Sequence, residues 1–233
     1  TMLKQNRPLQ VLLLVALLFL TSNFVFNAVG LYYVRSITGN AGYFVFLQLA
    51  QTAGTILFAS FAPTITRRYG KRSGYMLGAL LAAVGYGLIF FIPGGTLILA
   101  LVAWFFVGLG VGGSNAMMFS MQADTVDYGE WVSGIRSEGG SYSILSFTRK
   151  IGQGIGGWVG GAVIGAYGYV AGAEIVDGDQ ISLGLRVATG AIPAVLAVIA
   201  LAVAFFYRLD GDTHLKVVDE LTKRRTQSSI AST

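Results

Sequence analysis

Cysteine is absent from the 233 residues, which excludes a disulfide framework and any thiolate metal site. Histidine occurs once, at His214 in a polar tail, where a solvated side chain is expected rather than a ligand. Charge is scarce too. Asp, Glu, Lys and Arg make up 12% of the chain, against about 25% in soluble domains. What fills the space is apolar: 54% of residues are hydrophobic and the mean hydropathy is +0.66. Several apolar runs approach 20 residues, so the chain falls in the polytopic membrane class, with the lipid bilayer as its solvent. The 32 glycines fit that class, because small residues let helices approach closely in lipid. The net charge of +5 does not indicate nucleic acid, since the cations fall where membrane topology would put them. Thr1 precedes Met2, and nothing near the start resembles a cleaved signal peptide, so a fragment or processed piece is expected.

Hydropathy predicts an all-α membrane protein with six spans, at about 9–34, 43–66, 74–92, 96–120, 139–167 and 182–207. The expected connections are RSITGNAG, the basic turn RRYGKRS, PGG, a polar segment over 121–138, and GYVAGAEIVDGDQIS. A tail follows from 208 to 233. Only four prolines are present, and Pro63, Pro93 and Pro193 are expected to bend or end helices, which a packed bundle tolerates. Lys4, Arg7, Arg67, Arg68, Lys71, Arg72, Arg136, Arg208, Lys216, Lys223, Arg224 and Arg225 collect on one side, leaving Arg35 and Arg186 on the other. The positive-inside bias makes the first side, and both termini, cytoplasmic. RRYGKR reads as a topology anchor, and the tail as a solvated or membrane-surface helix.

The fifth span carries Arg149 and Lys150 side by side, with Lys150 about 17 Å of helix from the start of the stretch. At that depth a charge costs about 2.5–3.5 kcal/mol on insertion scales, and such charges usually face a bundle interior or a wet cavity. With Ser146 at zero on a helical wheel, Tyr142, Arg149, Gln153 and Lys150 fall within a stripe about 100° wide. Gly154, Gly156, Gly157, Gly160 and Gly161 follow and are expected to let neighbouring helices pack tightly. One reading of the stripe is a substrate or coupling cavity lined by Tyr142, Ser146, Arg149, Lys150 and Gln153. The other is a structural ion pair, or long cations snorkelling to the surface. No acidic residue lies in the apolar cores of the expected spans, so any buried counter-charge has to come from a bound anion or from elsewhere.

Before that span, Asp124, Asp127, Glu130, Arg136 and Glu138 lie within 15 residues. On a continuing helix Asp124 and Asp127 would share a face. No histidine, cysteine or nucleophile accompanies them in sequence, so neither catalysis nor a metal site is expected. A cytoplasmic charge network that forms and breaks, or a plain solvated loop, are the two readings. Gln48, Gln51, Thr52 and Thr55, with Asn23, Asn27 and Asn115, are expected to hydrogen-bond between helices.

The run ADTVDYGEWVSGIRSEGGSYSILSFTRKIGQGIGGW closely resembles the signature of the glycoside–pentoside–hexuronide:cation symporters, a branch of the major facilitator superfamily. SFTRKIGQGIGG, followed by GYVAG and GLR, resembles most the glucuronide carrier subgroup. The specific part covers about residues 123–169; the rest matches by hydropathy and by the basic turn. The resemblance implies helices VII–XII of a twelve-helix transporter, with the N-terminal six-helix half missing from this chain. It implies that Lys150 and Ser146 lie at the central sugar and cation cavity. It assigns Asp124, Asp127, Tyr128, Glu130, Arg136 and Glu138 to closure of a cytoplasmic gate. Arg149 accompanies the glucuronide-like members, and a guanidinium suits a uronate carboxylate.

The expected function is therefore the C-terminal half of a sugar:cation symporter, taking a glycoside or hexuronide with H⁺ or Na⁺ and no cofactor, in a bacterial inner membrane. A non-transporting six-helix partner or scaffold subunit is the alternative from another class. A homodimeric half-transporter is a third possibility, disfavoured because it would gather four unneutralised cations in one cavity.

Overall fold

The computed structural model describes residues 5–92, 96–170 and 180–231, with side chains as far as 227. The described residues are helical apart from short links. Helix α1 is Arg7–Thr38. Asn6 caps it through its side-chain oxygen, which accepts from the Leu9 N–H at 3.1 Å, and Pro8 occupies the first turn, where a missing N–H costs nothing. It stops at Gly39, whose positive φ of 68° lets its N–H return to the Arg35 carbonyl. After one 3₁₀ turn, Ala41–Tyr43, helix α2 runs Phe44–Phe91. It is broken at Gly70, at φ 80° and ψ 164°, into arms 44–69 and 71–91. Helix α3 is Leu97–Ser133 and α4 is Glu138–Ala166. Helix α5 is Gln180–Ala204, and α6 is Gly211–Ala231.

Helix α5 contains one π turn, Val187–Ala191, in which the Ile192 N–H reaches the Val187 carbonyl. Pro193 follows at once and has no N–H to continue the ladder, which accounts for the disturbed register there. The Pro193 carbonyl accepts from Ser22 Oγ at 2.8 Å, tying α5 to α1.

Helix α1 lies between α4 and α5, while α3 packs along both arms of α2. The second pairing is backbone against backbone. A Cβ built on Gly108 would lie 2.0 Å from the Gln51 carbonyl oxygen, and one on Gly54 would lie 2.3 Å from that of Phe105. The middle of the bundle holds an aromatic knot in which Phe26 and Tyr33 flank Trp104, with ring centres 4.9 and 5.6 Å away. Tyr33 donates its hydroxyl to the Ile89 carbonyl at 3.0 Å. Asn23 Nδ2 meets the Tyr86 hydroxyl at 3.4 Å, and Thr55 Oγ1 donates to the Gly108 carbonyl at 3.1 Å. Asn27 and Thr52 bond instead to carbonyls of their own helices, so those two do not join helices as expected.

Among the described residues four helices are long and apolar enough to cross a membrane: Arg7–Thr38, Ala41–Phe91, Leu97–Ser133 and Gln180–Ala204. The second has 51 residues and its break at Gly70 divides it into two arms, each about 30 Å or more long at 1.5 Å per residue. Helix α4 is not among the four, because its polar stripe and glycines dilute its hydropathy.

Several expectations need correction. The polar segment 121–138 is not a connection: α3 continues to Ser133, and only 134–137 links it to α4. The basic turn 67–73 is helical on both sides of a break at the single residue Gly70. Pro63 sits inside the first arm of α2 without ending it. Of the five glycines expected to pack, only Gly156 and Gly160 press on α1, together with Gly152; Gly154, Gly157 and Gly161 meet nothing within 4 Å. The links holding Pro93 and Glu174, Asp177 and Asp179 lie outside the described residues.

Candidate functional site

Helix α4 has two faces. Ser141, Leu145, Thr148, Gly152, Gly156 and Gly160 are buried, and the glycines meet Thr21, Phe24, Val25 and Val29 of α1. The other face carries Tyr142, Ser146, Arg149, Lys150 and Gln153, all exposed. Gly157 and Gly161 continue that face with open space above them. The stripe thus lies off the face that packs on α1, and all five of its side chains remain exposed among the described residues. Among the described residues neither Arg149 nor Lys150 has an ion-pair or hydrogen-bond partner.

The stripe is not uniform. Tyr142, Ser146 and Arg149, with Leu145, line a cavity of about 230 Å³ closed by Leu20 of α1 and Met118 and Phe119 of α3. Lys150 lies outside it, further round the helix, and Gln153 lies outside it, two turns further along from Ser146. One edge of the stripe therefore faces a crevice within the bundle, and the other faces whatever stands opposite α4. Hydroxyls at 142 and 146 and a guanidinium at 149 can together hydrogen-bond a polyhydroxylated anion. An arginine fork is well suited to a carboxylate.

The second charged region lies at the far end of α3. Asp124 is 7% exposed at its side chain and holds Lys71 with both oxygens, at 2.7 and 2.8 Å. Lys71 comes from the basic segment just after Gly70, so the helix break aims it at α3. Arg136 Nη1 reaches Asp127 at 3.0 Å and Glu130 at 2.9 Å, and its Nε reaches Glu138 at 2.7 Å. One arginine thus spans the link between α3 and α4. These carboxylates raise the Arg136 guanidinium further above its ordinary range, Glu130 contributing most. Glu130 is shared with Arg225 of α6, which grips both its oxygens at 2.8 and 2.7 Å. The Arg225 bond, with help from Arg136, holds the Glu130 carboxyl below its usual range despite partial desolvation.

Helix α6 is fixed there by more than charge. Val217 and Leu221 are buried where α6 packs on α3, and Trp131 Nε1 donates to Glu220 at 2.6 Å. His214 is 21% exposed, with Nε2 3.1 Å from Asp127 and 3.5 Å from Asp124. The expected solvated histidine is thus corrected, since it is built into the charged end, while the tail is the expected helix, mostly exposed and docked there through Val217 and Leu221. Sequence reasoning missed Lys71, His214, Trp131, Glu220 and Arg225 here. The Val217–Leu221 spacing was the available signal for a docked face. Tyr128 stands apart from the ionic network; its ring packs on Trp131, centres 5.6 Å apart. Among the described residues no group of three or more His, Asp or Glu is placed to hold a metal ion.

Residues 1–211 match the family model described as MFS/sugar transport protein. The chain belongs to that family. Membership and its apolar helices make it an integral membrane protein. It is 37% identical over 224 residues to the glucuronide carrier protein homolog of Escherichia coli K12, covering 96% of this chain and 49% of that protein. It is 31% identical over 231 residues to a putative sulfoquinovose importer of Salmonella typhimurium LT2, covering 98% and 48%. It is also 28% identical over 230 residues to an uncharacterized 29.9 kDa protein of Pseudescherichia vulneris, covering 97% of this chain and 82% of that protein. The chain spans about half the length of the first two relatives.

Proposed function

We propose that this chain forms helices VII–XII of a sugar:cation symporter of a bacterial inner membrane, working by alternating access with an N-terminal six-helix half. The observation that carries this reading is the α4 stripe. Tyr142, Ser146, Arg149, Lys150 and Gln153 share an uncovered face, and its two cations have no partner among the described residues. A polar face without a counter-charge, on a helix of a membrane bundle, fits a cavity between two halves that meet at the bilayer midplane.

In this mechanism Arg149 binds the carboxylate of a hexuronide, with a glucuronide as the favoured substrate. Tyr142, Ser146 and Gln153 hydrogen-bond sugar hydroxyls. Lys150, on the outer edge of the stripe, balances carboxylates of the N-terminal half. H⁺ or Na⁺ is the coupling ion, and no cofactor is required. Both termini are cytoplasmic, and Asp124, Asp127, Glu130, Arg136 and Glu138 latch the cytoplasmic side, with Tyr128 beside them. The names of the relatives, a glucuronide carrier homolog and a sulfoquinovose importer, support an anionic sugar.

The test is uptake of a labelled glucuronide into vesicles carrying the intact twelve-helix protein. Arg149→Ala is expected to lower uptake of the glucuronide more than that of a neutral glycoside, by about tenfold or more for a lost charge-assisted bond of about 1.5–3 kcal/mol. Lys150→Ala is expected to impair uptake and its cation dependence together. Both variants transporting like the parent, with unchanged cation dependence, would overturn the assignment of the cavity.

A further inference from the structure

Among the described residues, Arg7 and Arg208 also have no carboxylate partner. Arg7 opens α1, and Arg208 lies in the link between α5 and α6. Both line one open cavity of about 450 Å³, at the end of the bundle that carries the charged network. Its apolar wall is Pro8, Val11, Phe206 and Leu209, and the Tyr128 ring and Thr213 complete it. Among the described residues neither arginine makes an ion pair or hydrogen bond. Of the other cations at that end, Lys71 has Asp124, Arg136 has three carboxylates and Arg225 has Glu130, while Arg68 and Arg72 lie 5.5 Å from the Tyr69 and Phe205 ring centres. Asp210, two residues from Arg208, turns instead to the Thr213 N–H at 2.9 Å.

Two cations in one concavity repel each other, and apolar walls focus their field. An anion placed between them relieves that repulsion. The paired guanidinium forks match the oxygens of a phosphate better than a point charge would. The volume lies within the range of about 300–1,000 Å³ for small-molecule sites. Phe206, 68% exposed, offers an apolar rim beside the cations, as a molecule with a charged head and an acyl chain requires. On the orientation proposed above, this end faces the cytoplasmic leaflet, where basic pockets between spans take anionic headgroups.

We propose that the Arg7–Arg208 cavity binds a phosphate ester, supplied by an anionic phospholipid headgroup at the membrane boundary. A soluble glycerol phosphate offers the same chemistry, and the experiment separates the two sources. The site shares no residue with the α4 stripe; its leaflet rests on the orientation proposed above, and its binding of a phosphate ester does not depend on sugar transport.

The purified intact protein is released from detergent in a mass spectrometer after incubation with equal amounts of phosphatidylglycerol and phosphatidylcholine. Phosphatidylglycerol is expected to be retained about thirtyfold over phosphatidylcholine, from two basic residues at about 1 kcal/mol each near a membrane surface. Arg7→Gln with Arg208→Gln is expected to abolish that preference. Arg68→Gln, which removes a cation from the same end but outside the cavity, is expected to keep it. In a parallel thermal-unfolding series, glycerol 3-phosphate stabilising the parent but not the double variant assigns the site to a soluble phosphate; stabilisation by lipid alone assigns it to the headgroup. If the glutamine pair fails to fold, Arg7→Lys with Arg208→Lys takes its place, and a preference reduced at least twofold is expected for loss of the forks. Retention of both ligands by the variants at the parent's level overturns the site. So does an equal loss in Arg68→Gln, which would make the effect one of diffuse surface charge.

Discussion

Asp124 and Lys71 form a closed pair at 2.7 and 2.8 Å, with the carboxylate almost fully buried and the ammonium partly so. Truncating one partner strands the other. Asp124→Asn is expected to lower stability by about 1.5–3 kcal/mol, as for other hydrogen bonds to charged groups. Lys71→Met is expected to cost a similar amount, and the double variant less than the sum, because the two changes remove one interaction. Thermal unfolding in detergent of the three variants measures this; additive losses would show that the pair is not coupled. Asp124 was visible in the sequence as one of a cluster of acids, but its partner was not. Lys71 lies 53 residues away, inside a basic run that positive-inside bias already explains. His214 was misjudged for the same reason, since Asp127 is 87 residues distant and no periodicity connects them.

At the scale of elements, the α2–α3 pairing depends on glycine where the two backbones touch. Gly108→Ala places a methyl carbon 2.0 Å from the Gln51 carbonyl oxygen, and a backbone oxygen cannot swing aside as a side chain can. The helices have to separate, at a cost of about 1–3 kcal/mol or more. Gly157→Ala, on the open face of α4 with nothing within 4 Å, is the matched control and is expected to leave the melting temperature of this chain unchanged. Equal losses in both would remove the argument from close approach. The extension of α3 was half legible. Polar residues from Gln122 onward suggested a connection, yet Gly134 directly after Ser133 is a C-cap signal, and its N–H does return to Glu130 at 2.8 Å. The polar residues persist on a helix because its far end leaves the apolar core and meets other charges.

For the molecule as a whole, α6 closes the charged end, and Glu130 joins it to the link between α3 and α4. The Glu130 carboxyl is held below its ordinary value of 4.5, chiefly by Arg225. The stabilisation is therefore complete above about 4.5 and is lost as pH falls through the lowered value. Trp131, bonded to Glu220 of α6, reports the docking. In a variant with Trp104 and Trp158 replaced by Phe, acidification below the glutamate range is expected to shift Trp131 emission to the red. Arg225→Glu is expected to do so at neutral pH. Emission that stays the same in both cases would show that Glu130 and Arg225 do not hold the tail.

Composition and periodicity alone determined the helical membrane class, the polar stripe of α4 and the acidic cluster of α3. Each is a local property: hydropathy is summed over a window, and a stripe needs only 3.6 residues per turn. Only the tertiary structure decided which glycines touch a neighbour and which edge of the stripe meets a cavity. It also showed that Lys71, His214 and the tail belong to the charged end, and that Arg7 and Arg208 share a hollow. Those facts join residues tens to hundreds of positions apart, and only packing brings such residues together.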